Sequence, residues 1–124
     1  MADILTPENG ITIFKGASKT LKLSVVDAAG KPVAINGALI IFTIKRDIKD
    51  PQPLLQKKST NGAEVLITAP DVGHAEIYLL PSDTQTWDVR TYTFDVWIQL
   101  ASGARYVIVP PSDFRVDRPV TTFL

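Results

Sequence analysis

The 124-residue chain predicts an all-β fold, a two-sheet sandwich of seven to eight antiparallel strands. Three observations carry this. Nearly every segment is a short run rich in Val, Ile, Thr, Tyr and Phe bounded by turn residues. No segment holds a sustained helical period of apolar residues. Turn signals recur at the spacing usual for all-β chains.

The strands follow in order. Residues 11–15 form the first, and residues 20–26 the second, where Leu21, Leu23 and Val25 alternate against Lys22 and Ser24. Residues 27–32 turn the chain, with Gly30 free to take positive φ and Pro32 fixing the exit. Residues 33–35 bridge to Asn36-Gly37, and residues 38–46 are the third long strand. Two prolines in the polar loop 47–53 forbid a central strand there. Residues 54–59 and 63–68 flank Asn61-Gly62, a strong hairpin signal. A turn at residues 70–73 leads to a strand at 74–80, and residues 82–88 suit one helical turn. The last strands are 90–100 and 104–109; Pro110-Pro111 interrupts the second, which resumes at 114–116.

The final hairpin fixes a register. A three-residue loop with Gly103 left-handed pairs Leu100 with Ala104, Ile98 with Tyr106 and Val96 with Ile108. The inward set is then Tyr92, Phe94, Val96, Ile98, Leu100, Tyr106 and Ile108. The outward set includes Trp97, Val107 and Val109, which a solvated face does not need. The domain occupies residues 11–118, between an N-terminal segment 1–10 and a tail 119–124.

Composition narrows function. Thirteen basic and thirteen acidic residues cancel, which argues against nucleic acid or an anionic membrane as partner. A neutral chain also lacks the self-repulsion that keeps monomers apart, favouring a homo-oligomer. There is no cysteine, so thiolate and disulfide chemistry are closed. The start has neither a basic nor an apolar signal region, so no signal peptide is expected.

Candidate chemistry is thin. With His74 as sole histidine, the usual triads and zinc sites lack members, so no catalytic, cofactor or metal site is expected. Gly16 to Thr20 has no glycine before Lys19 and leads into a strand, unlike a phosphate-binding loop. The aspartates sit at turns, where Asp bonds nearby backbone N–H groups. Lys57 and Lys58, with Lys45 and Arg46, form a small basic cluster expected to be a solvated edge.

The run Asp88-Val89-Arg90-Thr91-Tyr92-Thr93-Phe94 resembles the E–F corner of immunoglobulin-type sandwiches, with Phe94 in place of the buried Cys. The resemblance makes Tyr92 the residue that bonds back upstream, with Asp88 and Asp83 bracing the corner. It makes 20–26 strand B, 38–46 strand C with Phe42 as its core aromatic, and 90–100 strand F. A wider resemblance spans about a hundred residues. It runs from Gly16 and Leu21-Lys22-Leu23 through the Asp27–Pro32 turn to Ile40–Lys45. It continues through Asp83-Thr84, Tyr92–Val96 and Gly103 to Phe114-Arg115-Val116 and Val120-Thr121. In these pieces the chain resembles immunoglobulin-like domains of bacteriophage and prophage tail proteins, in particular the N-terminal domain of phage baseplate upper proteins. That resemblance implies a structural module of a virion, found also in the host cytoplasm before assembly. Its partners would be other copies or neighbouring phage structural proteins.

In the immunoglobulin topology strands C, F and G share a sheet, and its outward residues are Leu39, Ile41, Trp97, Val107 and Val109. Such a patch marks a protein interface unless the N-terminal segment or residues 120–124 fold back over it, or a register shift of one residue dissolves it. The alternative is a carbohydrate- or host-surface-binding module using Trp87 or Trp97 as a stacking platform.

Overall fold

The computed structural model describes the backbone of residues 2–4 and all of residues 10–121. Met1, residues 5–9 and residues 122–124 lie outside the described residues, and with them parts of the expected N-terminal segment and tail.

Alternation of apolar residues builds each strand. In β2 (Ile11–Phe14) and β3 (Lys19–Ser24), Ile11, Ile13, Leu21 and Leu23 point inward and their neighbours outward. The same parity buries Ile40, Phe42 and Ile44 of β4 (Leu39–Lys45). It likewise buries Tyr92, Phe94, Val96 and Ile98 of β8 (Arg90–Gln99). The remaining strands are β5 (Leu55–Lys58), β6 (Val65–Ala69), β7 (His74–Leu79) and β9 (Arg105–Asp117). A three-residue β1 (Ala2–Ile4) lies beside β3.

These strands form two sheets, ordered β1-β3-β7-β6 and β2-β9-β8-β4-β5. With β3 as strand B and β4 as strand C, the orders read B-E-D against G-F-C, the arrangement of an immunoglobulin-like sandwich. Between the sheets Phe42, Phe94 and Phe114 pack with ring centroids 5.6–6.5 Å apart. Phe42 is the buried aromatic that strand C lacks a tryptophan for.

Four expectations need correction. The pairings are not all antiparallel, since β1 runs parallel to β3 and β2 parallel to β9. Parallel neighbours need a long connection, and most of the chain separates β2 from β9. Asn61-Gly62 does not close a hairpin, because β5 belongs to one sheet and β6 to the other. Neither residue has positive φ, which a type I′ turn would demand. Instead the Asn61 side chain accepts the Ala63 N–H and its carbonyl accepts the N–H groups of Glu64 and Val65. This coil carries the chain across the sandwich.

The third correction concerns Pro110-Pro111, which does not interrupt β9. The strand runs through both prolines. Between Phe94↔Ser112 and Val96↔Val109, β9 has one residue more than β8, a bulge that absorbs two residues without N–H groups. A second extra residue, Ile108, lies between Val96↔Val109 and Trp97↔Val107. It shifts the expected Val96–Ile108 pair to Val96–Val109 and sends Val109 inward. Fourth, Tyr106 does stand opposite Ile98, yet it is 58% exposed because nothing described covers that end of β9.

A short 310 turn at Pro70–Val72 is closed by Gly73 in the left-handed region, φ 75°. A Cβ there would stand 2.6 Å from the Val25 carbonyl oxygen and 2.7 Å from that of Val33. Both strain and collision follow, so Gly73→Ala is expected to cost about 2 kcal/mol or more, read as a lowered thermal midpoint.

Candidate functional site

Two sites emerge, one structural and one exposed. At the corner before β8, the Tyr92 hydroxyl donates to the Asp88 carbonyl at 2.7 Å. The Asp88 side chain is turned outward instead, 3.6 Å from Arg46. The corner therefore uses the Asp88 backbone rather than its carboxylate. Trp87 packs on Tyr92 at 4.9 Å between ring centroids and on Phe114 at 6.3 Å. This half-buried Trp87 is a core element, not an open platform. Arg90 lies over the Tyr92 ring at 5.3 Å and also pairs with Asp47 at 3.3 Å, tying the corner to the loop after β4.

Burial raises the Tyr92 phenol above its ordinary value of about 10, and the nearby Asp88 charge adds to this. The folded state thus holds its proton more tightly than the unfolded chain. Stability from this group is complete below the unfolded value and is lost as pH rises through the folded one. Tyr92→Phe is expected to lose about 1 kcal/mol at neutral pH and to flatten the alkaline decline, measured by denaturant titration against pH.

A second brace was hidden in the sequence. Lys57, expected on a solvated edge, is only 4% exposed; its ammonium meets the Asp83 carboxylate at 2.8 Å. Lys57 stands opposite Phe42, so strand parity turns it inward at the rim of the sandwich. Asp83 lies in the one-turn helix α1 (Pro81–Thr84) and also accepts the Leu80 N–H at 2.8 Å. Next to it, buried Thr84 accepts the Gly16 N–H at 3.0 Å. The pair clamps β5 to α1. Inward parity in the 54–59 strand was the available signal, but its basic residues suggested solvent. Asp83→Ala would strand a buried ammonium and an uncapped N–H, and about 3 kcal/mol of stability is expected to go, measured by urea unfolding.

The exposed site is the outward face of the β2-β9-β8-β4-β5 sheet. Ile41, Trp97 and Val107 are consecutive cross-strand neighbours on β4, β8 and β9. Trp97 is 43% and Val107 44% exposed, while Leu39 and Ile41 are half-buried beside them. Four of the five expected patch residues thus come together. Val109 does not: it is 1% exposed and part of the core, because the Ile108 bulge reverses its side.

Polar groups frame the row. The Trp97 indole N–H donates to Asp95 at 3.1 Å, which fixes the ring. Arg105 donates to Gln99 at 2.8 Å. Between Trp97 and the β4 residues lies a shallow depression of about 560 Å³, bordered also by Gln56 and Lys45. Val120 is fully exposed; residues 122–124, the end of the tail considered as a cover, are outside the described residues. His74 opens β7 on the exposed side of the other sheet, as a strand-start residue. Among the described residues no three of His, Cys, Asp and Glu gather as a metal-binding group, and no helix is long and apolar enough to cross a membrane.

No family model matches the chain, and no curated protein matches it.

Proposed function

We propose that this chain is a non-enzymatic assembly module that works through protein–protein contacts of its exposed sheet face, in a phage or prophage tail particle of the baseplate type. One observation carries the contact reading: the row Ile41–Trp97–Val107, with Leu39 beside it, is apolar and solvent-facing on a sheet whose opposite side already fills the core. Each such side chain buried against a partner contributes roughly 1.5–3 kcal/mol before the costs of association. The Asp95 contact holds the indole in place beforehand, so little rotamer freedom is lost on docking. The tail-particle setting rests on the sequence resemblance, and the immunoglobulin-like strand order agrees with it.

Trp97→Ser tests this reading. The substitution is exposed, so folding stability is expected to change by about 0.5 kcal/mol or less. Wild-type chain is expected to co-sediment with tail particles produced from the source genome, and the variant to be left in the supernatant. Equal incorporation of both would overturn the face as the contact.

A second reading, carbohydrate or host-surface binding, draws on the depression beside Trp97, where Asp95, Gln99, Gln56 and Arg105 offer hydrogen-bonding groups around an aromatic wall. It expects glycan binding that Trp97→Ser abolishes. A glycan screen without a hit at about millimolar ligand, some 4 kcal/mol of binding, removes it.

A further inference from the structure

Two Asn-Gly pairs stand in the chain, and alanine follows each: Asn36-Gly37-Ala38 and Asn61-Gly62-Ala63. Both asparagines and both glycines are exposed. At the first pair the glycine has a conformational task. Gly37 lies in the left-handed region at φ 72°, in a turn closed by the Ala38 N–H on the Ile35 carbonyl at 3.1 Å. Gly62 has no such task. Its φ is not positive, and a Cβ there would meet only Leu66 Cδ1 at 3.5 Å, an ordinary contact.

Glycine after asparagine also has a chemical consequence. With no side chain to shield it, the glycine nitrogen can reach the asparagine Cγ. Once that nitrogen has lost its proton to solvent, its lone pair forms an N–Cγ bond. The Cγ–Nδ2 bond then breaks, and Nδ2 takes up a proton and leaves as ammonia. Water opens the resulting succinimide ring at either carbonyl, giving aspartate or isoaspartate. The sum is asparagine plus water to aspartate or isoaspartate plus ammonia. During the addition negative charge gathers on Oδ1, so the groups facing the side-chain amide govern the rate.

The two asparagines differ there. Oδ1 of Asn61 accepts the Ala63 N–H at 3.0 Å, a donor placed where the oxyanion develops. The Gly62 N–H donates to no acceptor among the described residues, so only water competes for its proton. Asn36 instead donates its Nδ2 to the Asp71 carboxylate at 3.2 Å. That bond holds the leaving group, and the carboxylate charge opposes a second negative charge on the adjacent Oδ1.

We propose that Asn61 is a site of spontaneous deamidation at the crossing between the sheets, while Asp71 protects Asn36. Each event adds one negative charge to a chain of formal net charge zero. Aspartate caps a turn as asparagine does, so that product keeps the Ala63 bond. Isoaspartate places the β-carbon in the main chain. It displaces the carbonyl that holds the N–H groups of Glu64 and Val65, beside the buried Val65 side chain. This modification goes beyond the assembly reading and does not depend on it.

Peptide mapping by mass spectrometry of the stored chain, folded and in concentrated urea, tests it. The shared Gly-Ala after both asparagines makes their unfolded rates nearly equal, so urea supplies the reference. In the folded chain Asn61 is expected to convert about ten-fold faster than Asn36, to both products and faster as pH rises. Gly62→Ala fits without strain and is expected to slow conversion of Asn61 about ten-fold, with the urea midpoint nearly unchanged. Asp71→Ala is expected to raise the Asn36 rate toward that of Asn61. Equal rates at the two sites in the folded chain, or an Asn61 that converts only in urea, would overturn the proposal. An excess at Asn61 that persists unchanged in urea would trace to sequence alone and overturn the structural cause.

Discussion

The pairing of β8 with β9 is the constraint on which the rest of the molecule depends. The paired spans are ten residues of β8, Arg90 to Gln99, and twelve of β9, Arg105 to Val116, and the difference is absorbed at two places where β9 carries one residue more than its neighbour. Each extra residue reverses the side that the following side chains face. The result is a strand that serves the core at Val109, Phe114 and Val116 and leaves Tyr106 and Val107 in solvent. Without the Ile108 bulge, Val109 would join the outer face and the core would lose a buried valine.

Around that strand pair the sandwich is closed by local devices at its rims. Tyr92 ties the entry of β8 to the Asp88 backbone, and Trp87 covers the Tyr92 ring from the side. At the β5 rim the Lys57–Asp83 pair is a stronger commitment, because two charges are held with little water. Such a pair adds little net stability over an apolar substitute, yet losing one partner is costly. Asp83 offsets part of that cost by capping Leu80 with the same carboxylate. The clamp therefore fixes where α1 sits and, through Thr84 and Gly16, where the chain leaves β2.

This division of labour leaves the exposed face free for contacts. The core is complete without Leu39, Ile41, Trp97 and Val107, and all corner and rim bonds lie elsewhere. An indole oriented by Asp95 is a preformed feature, which would lower the entropy lost if this face docks a partner.

Two-residue alternation is a local property, so the all-β class, the positions of most strands and the inward residues of β3, β4 and β8 were legible in the sequence. The sequence also placed the Tyr92 corner and the Gly103 turn, whose geometry is set by a few neighbouring residues. What depends on distant neighbours was not legible there. Asn61-Gly62 reads as a hairpin in isolation, but the sheets claim β5 and β6 separately. Lys57 reads as a solvated lysine until α1 brings Asp83 to it. Val109 reads as outward because one unpaired residue in β9 is invisible to a count of alternation; only the register against β8 reveals it.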